Sequence, residues 1–289
     1  MSFVLLTDSC ANLTEEIIRR YDIHVVSLRF REGDQEYCSF ADGRPRDVSE
    51  FYQRMREGAE ITTARFSVED AQRAVEAILR AGSDVLYIGF SSALSGAFAN
   101  MNTAMNSLRG RYPARKLVAV DSLSAALGEG LLVTLAARQR EAGKSLEEVT
   151  IFVEETKLHV CHLFTVDSPK YLCRGGRVSA ASAAVDTILD FKPVLFVYDQ
   201  GRLEPTGKRQ GMKNAIQEIL DRMDEVAWKD PENPVYIVHA DSYELARYLA
   251  NYVRATYGTQ EIVIAPVDMV IGAHSGPGTL AVFFLGEHR

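Results

Sequence analysis

The stretch DVLYIGFSSALSGAFANM, residues 84–101, contains one strand-to-helix unit of an α/β fold. Its first part, DVLYIGF, is a continuous apolar run bounded by polar residues, which is typical of a strand buried on both faces. A short polar turn follows, and the pattern then predicts a helix that begins near Ser95 and Gly96. A buried strand that leads directly into a helix is the repeating unit of a parallel sheet covered by helices.

The same order of elements recurs through the first half of the chain. Further buried strands are predicted at FVLLT (3–7), HVVSLRF (24–30) and KLVAV (116–120), and helices at SVEDAQRAVEAILRAG (67–82) and SAALGEGLLVTLAARQREAG (124–143). This alternation predicts a mostly parallel sheet with helices on both faces.

The second half has a different pattern, in which only some of the strands are separated by helices. Strands are predicted at VCHLFTV (160–166), KPVLFVYD (192–199), PVYIVHA (234–240), EIVIAPV (261–267) and TLAVFFL (279–285). We therefore expect a mixed sheet in a second α/β domain. The predicted division is residues 1–157 and 158–289.

Composition excludes several classes of protein. The chain has 289 residues, 47% of them apolar, and a net charge of −7, whereas proteins that bind nucleic acid carry a basic surface. It contains no uncharged apolar run of the length that spans a bilayer, and its N-terminus lacks the pattern of a signal peptide. We expect a cytoplasmic protein in which Cys10, Cys38, Cys161 and Cys173 are free, buried thiols.

Polar residues follow three of the predicted strands, at Thr7-Asp8-Ser9, at Ser91-Ser92 leading to Ser95, and at Asp121-Ser122. In open α/β sheets, ligands bind in the crevice beyond the carboxyl ends of the strands. The same residue types also cap helices, because their side chains accept hydrogen bonds from free N–H groups. Both interpretations stay open at this point.

Three other segments carry polar or unusual residues. ITTARFS, residues 61–67, has Thr62 and Thr63 ahead of a helix, where they are typical of caps. SPKYLCRGGRVSAASA, residues 168–183, predicts a short helix, a glycine turn between two arginines, and a helix of small residues. Arginine side chains suit carboxylate or phosphate. AHSGPGTL, residues 273–280, contains His274 between glycines, with no lysine or arginine.

An enzyme is the alternative hypothesis. GFSSA, residues 89–93, resembles the G-x-S-x-G nucleophile elbow, although Ala93 replaces the closing glycine. Ser91 or Ser95 with His274 could form a serine esterase or thioesterase, oriented by an acid that the sequence does not identify among Asp8, Asp121 and Asp268. A metal site at HVCH, residues 159–162, is not expected, because histidines three apart on a strand face opposite sides of the sheet.

Eight segments in order along the whole chain together resemble the DegV family of fatty-acid-binding proteins. They are DSCANL, TTARFS, SSALSG, DSLSAALGEG, YLCRGGRVS, LDFKPVLFVYDQGRLEP, GKRQG and IGAHSGPGTL. The resemblance implies two α/β domains with a long-chain fatty acid such as palmitate between them. It implies a carrier rather than a catalyst, with no metal and no cofactor other than the bound acid, which a fatty acid kinase converts to an acyl phosphate for phospholipid synthesis.

The resemblance also implies roles for individual residues. The fatty acid carboxylate would be held by Thr62, Ser95 and His274, with a supporting pocket formed by Thr63, Ser92, Gly96, Gly272 and Gly276. Arg177, together with Arg174 and Arg209, would contact the kinase. The chain departs from the family pattern where T-S-Q-P-S reads TTARFS and where G-K-V-R-G reads GKRQG.

Overall fold

The computed structural model describes residues 3–41, 44–45, 47–179 and 190–289. The strands are β1 (Phe3–Asp8), β2 (Ile23–Val26), β3 (Arg29–Glu32), β4 (Gln35–Cys38), β5 (Phe40–Ala41), β6 (Arg44–Pro45), β7 (Ile61–Ala64), β8 (Asp84–Gly89), β9 (Leu117–Asp121), β10 (Val160–Thr165), β11 (Phe191–Val197), β12 (Leu203–Gln210), β13 (Val235–His239), β14 (Ile262–Pro266) and β15 (Leu280–Leu285). The helices are α1 (Glu15–Arg20), α2 (Ser49–Arg56), α3 (Val68–Arg80), α4 (Ala97–Arg109), α5 (Leu127–Glu141), α6 (Leu146–Thr156), α7 (Lys170–Arg174), α8 (Met212–Val226), α9 (Tyr243–Tyr257) and α10 (Met269–Ser275).

The first sheet is parallel, as predicted. Its strand order is β2-β1-β8-β9, and every neighbouring pair is parallel. Alternate residues of β8 pack on opposite faces, with Val85 and Tyr87 against α3 and α4, and Leu86 and Ile88 in the core that includes α5. Burial on both faces explains why this strand reads as a continuous apolar run.

The segment HVVSLRF forms two strands in different sheets, so its prediction as one strand was wrong. β2 belongs to the parallel sheet, whereas β3 pairs antiparallel with β4 and β7. Between them, the Leu28 N–H donates to Ser9 Oγ at 2.9 Å and Ser27 Oγ donates to the Leu28 carbonyl at 2.7 Å. Side-chain hydroxyls therefore satisfy the backbone where the strand breaks.

The second half forms the predicted mixed sheet. Its order is β12-β11-β10-β15-β13-β14, in which only β13 and β14 pair in parallel. Helix α5 contacts strands of both large sheets, and one hydrophobic core contains residues of both halves of the chain. The division at residues 157 and 158 stays a prediction.

Other predictions concern the thiols, the membrane and one helix. All four cysteines are free; Cys10 and Cys161 are buried, and Cys38 and Cys173 are half-buried. Among the helices of the described ranges, none has the length and apolarity needed to cross a bilayer. The predicted helix of small residues falls largely on residues 180–189, outside the described residues.

Candidate functional site

A cavity of about 430 Å³ is lined by residues of both halves of the chain. Cavities of about 300–1,000 Å³ with mostly apolar walls are typical of small-molecule sites. One wall is the face of the mixed sheet, where the register places Ala281 beside both Phe164 and Val238. Most of the remaining lining is also apolar: Leu28, Phe90, Leu94, Ala125, Ala126, Leu172, Val197, Leu203, Val267, Val270, Ile271 and Phe283.

His162 shares this wall and is a neutral imidazole. Its Nδ1 lies 2.9 Å from the Val160 carbonyl, so this nitrogen carries the proton, and Nε2 accepts from the Ala125 N–H at 3.3 Å. Complete burial and the nearby Arg289 charge hold its pKa well below the usual range. It therefore adds no charge to the apolar part of the cavity.

His274 and Thr63 form the polar pair of the cavity. His274 lies near the end of α10 and Thr63 on β7, and His274 Nε2 is 2.8 Å from Thr63 Oγ1. Burial, followed by the charges of Arg177 and Arg174, lowers the pKa of His274 to about 4. At neutral pH the imidazole is uncharged, so the pair can offer an N–H or O–H donor to a ligand oxygen.

Thr62 does not join this pair, which corrects the expectation from the sequence. Thr62 is exposed and does not line the cavity, whereas Thr63 lines the cavity and contacts His274. The two threonines lie on a strand, where neighbouring side chains point to opposite faces. They are also not helix caps, because Ser67 caps α3 through a capping box with Asp70. Thr63 replaces Thr62 as the candidate hydroxyl.

The turn before α4 brings Ser92, Ser95 and Gly96 to the cavity, as expected from the sequence. Ser95 Oγ accepts from the Ala97 N–H at 3.2 Å, so its proton remains free for another partner. Ser91 lies elsewhere: it is fully buried and donates to the Gly201 carbonyl at 2.8 Å. Ser91 is therefore engaged as a structural hydroxyl.

Gly272 and Gly276 do not line the cavity, although the sequence suggested that they support it. A Cβ at Gly272 would overlap the Tyr52 hydroxyl, and a Cβ at Gly276 would overlap the Tyr171 ring. These two glycines therefore permit close approach of tyrosines to the segment that carries His274. They position the histidine indirectly, with no contact to the cavity.

The three arginines expected at a partner surface have different environments. Arg177 is half-buried and lines the cavity, and its Nε and Nη2 donate to the Leu94 carbonyl at 3.2 and 2.9 Å. Arg174 is exposed and stacks on Tyr171, with 5.3 Å between its Cζ and the ring centroid. Arg209 is exposed and pairs with Glu218 at 2.8 Å.

Arg65 and Ser275 are polar residues of the cavity that were not predicted from the sequence. Arg65 lines the cavity beside Gly96, within the TTARFS segment that departs from the family pattern. Ser275 is buried there, and its Oγ has no hydrogen-bond partner among the described residues. For Arg65, the difference between TTARFS and the family pattern was a signal in the sequence. The sequence contains no such signal for Ser275, which follows His274.

The acids that could orient a catalytic histidine are bound to other groups. Asp8 accepts from the Tyr87 hydroxyl and the Phe90 N–H, and Asp268 accepts from the Val270 N–H. Asp121 accepts from the Ser92 and Leu123 N–H groups. The polar residues at the strand ends thus mainly satisfy the backbone. Among the described residues, no group of three or more metal-ligating side chains occurs.

The charge of the cavity is positive in an acidic protein. Its described lining includes Arg65 and Arg177 but no aspartate or glutamate, whereas the whole chain carries −7. Hydroxyl groups and two arginines line the cavity together with the apolar face of the mixed sheet. This arrangement suits an elongated apolar molecule with an anionic end.

Comparison with known proteins identifies one family. Residues 2–287 match the sequence profile described as uncharacterised protein, DegV family. A DegV domain-containing protein of Clostridium perfringens is 37% identical over 287 residues, covering 99% of this chain and 98% of that protein.

Solved structures share the fold. A DegV lipid-binding protein from Thermotoga maritima has a TM-score of 0.87 at 28% identity, with 100% of both chains covered. A DegV family protein from Thermus thermophilus, described by its fatty acid binding, has a TM-score of 0.88 at 29% identity, covering 99% of this chain and 100% of that one. The Streptococcus pneumoniae Fatty Acid Kinase (Fak) B3 protein, loaded with linoleic acid, has a TM-score of 0.85 at 21% identity over 99% of each chain, which shows the fold alone. The chain described here belongs to the DegV family.

Proposed function

We propose that the protein binds one long-chain fatty acid, such as palmitate, in the cavity between its two large sheets. The acyl chain would lie against the apolar wall around Ala281, and the carboxylate would bind Thr63, Ser95 and His274. The observation that carries this proposal is the combination of an apolar cavity with one cluster of polar and basic groups and no acid among its described lining residues.

The binding energy follows from the acyl chain. A palmitate chain has about fifteen methyl or methylene groups, each worth about 0.8 kcal/mol on removal from water, or about 12 kcal/mol in total. Ordering of the chain and loss of overall motion subtract several kcal/mol. The apolar wall therefore supplies most of the affinity, and the polar groups orient the carboxylate.

We further propose that this protein acts in the cytoplasm as a carrier of the fatty acid. It would present the carboxylate to a fatty acid kinase, which transfers a phosphoryl group from a nucleotide to a carboxylate oxygen. The structural likeness to the Streptococcus pneumoniae Fatty Acid Kinase (Fak) B3 protein supports the proposal of a kinase partner. Arg174 and Arg209 are exposed and can contact such a partner, whereas Arg177 is placed to act inside the cavity. The engaged Ser91 and the engaged acids favour this carrier over a serine esterase.

Native mass spectrometry of freshly purified protein tests the binding proposal. We expect one fatty acid per chain, identified by lipid analysis after denaturation. The control is the same protein after delipidation and incubation with palmitate, which should restore the same mass shift. A protein that is empty when purified and also fails to take up palmitate and oleate would contradict the proposal.

The roles of the neighbouring threonines can be separated by matched substitutions. Thr63→Val should weaken palmitate binding about tenfold, because it removes one hydrogen bond of about 1.5 kcal/mol to a charged group. Thr62→Val, at the exposed neighbouring position, should leave the affinity within a factor of two. Titration of the delipidated proteins measures both constants. A larger loss in Thr62→Val than in Thr63→Val would show that the carboxylate binds elsewhere.

A further inference from the structure

Arg65 differs from Arg177, the other arginine of the described cavity lining, in having no partner among the described residues. Its guanidinium lies against Gly96, where a Cβ would come within 2.5 Å of Nη1. It forms no hydrogen bond or ion pair with any residue in the described ranges. All five of its N–H donors are therefore available to a ligand.

Arg177 is already committed to the protein. Three of its nitrogens donate to backbone carbonyls, two bonds to Leu94 and one to Gly175. These bonds hold the guanidinium in the cavity wall and use most of its donors. Arg177 can therefore contribute charge to a ligand but few hydrogen bonds. Of the two arginines in the described lining, Arg65 is the one whose donors are available.

The surroundings of Arg65 favour added negative charge. Helix α4 begins beside it at Gly96, which provides no side-chain cap, so the positive end of the helix dipole faces the same place. Ser92 and Ser95 add hydroxyl groups there, and Arg65 itself is exposed, at the opening of the cavity. A single carboxylate that binds Thr63, Ser95 and His274 would leave the Ser92 hydroxyl and the Arg65 donors unused.

We propose that Arg65 is a specificity-determining residue that binds a second, phosphate-type charge at the ligand head group. Phosphorylation of a fatty acid converts a carboxylate with one negative charge into an acyl phosphate with about two. Arg65 would retain this dianion more strongly than the free acid. The inference rests on the proposed function, because it concerns the head group of the same ligand.

The test compares two ligands with long saturated chains: palmitate and hexadecylphosphonate, a stable analogue of the phosphorylated form. The constants are measured above the second pKa of the phosphonate, where it is a dianion. The variants are Arg65→Gln and Arg65→Lys. Arg254→Gln serves as the control, because it removes an equal charge from an exposed arginine of α9, outside the cavity lining. Binding constants of the delipidated proteins are measured at low and at high salt.

We expect Arg65→Gln to weaken hexadecylphosphonate about tenfold and palmitate less than twofold, whereas Arg65→Lys keeps part of the preference. Arg254→Gln should leave the ratio of the two constants unchanged, and salt should reduce the effect of Arg65→Gln because Arg65 is exposed. An equal loss for both ligands, no loss in Arg65→Gln, or a wild type that binds palmitate but not the phosphonate would overturn the inference. A wild type that binds neither ligand would instead contradict the proposed function.

Discussion

Ala281→Phe is expected to weaken palmitate binding about a hundredfold while leaving laurate binding close to that of the wild type. Ala281 lies on β15 between Phe164 and Val238, in the apolar wall of the cavity. A phenyl ring there would occupy the volume of about four methylene groups, and each lost methylene costs about 0.8 kcal/mol. The sum of about 3 kcal/mol corresponds to a loss of more than a hundredfold in affinity.

Two controls separate a filled cavity from a damaged fold. Ala281→Val adds fewer atoms and should give an intermediate loss for palmitate. Ala99→Phe makes the same substitution at an exposed position of α4, outside the cavity, and should change neither affinity. Displacement of a fluorescent fatty acid measures the constants, and thermal unfolding reports stability. If palmitate and laurate lost affinity equally in a folded Ala281→Phe protein, the acyl chain would not lie along this wall.

Gly276→Ala is expected to have the largest effect on stability. Gly276 has φ = 83° and ψ = 169°, a region that is essentially restricted to glycine. An added Cβ would also overlap the Tyr171 ring, which is buried. Backbone strain of about 1–3 kcal/mol and overpacking of about 1–3 kcal/mol should add, so we expect the free energy of unfolding to fall by about 2–6 kcal/mol. This corresponds to a decrease in Tm of about 10 °C.

Gly143→Ala is the matched control for this substitution. Gly143 has the same φ of 83°, but a Cβ there would meet no atom within 4 Å. Gly143→Ala should therefore lower the free energy of unfolding only through backbone strain, by about 1–2 kcal/mol. Chemical denaturation of both variants measures the difference. Equal losses would show that Tyr171 moves aside freely and that close approach to Gly276 does not determine the position of His274.

Much of the fold could be predicted because hydrophobic periodicity is a local property. β8 is buried on both faces and therefore reads as an apolar run, and α3 begins at a capping box that is visible as Ser67 and Asp70. The prediction of HVVSLRF as one strand was wrong because its apolar residues continue through the break between β2 and β3. That break depends on the hydroxyl of Ser9, a residue distant in the chain.

The sequence by itself determined the α/β class, the parallel and mixed sheets and the family. Through the resemblance it also implied a shared site for Ser95 and His274, and both line the cavity. Tertiary structure decided which threonine faces His274, because two adjacent strand residues point to opposite sides and the sequence does not state which side is covered. It also decided that Arg177 belongs to the cavity wall and that Arg65 has no partner within the part of the chain that the structure describes. Such roles depend on carbonyls and side chains brought together from distant parts of the chain, and no local pattern encodes them.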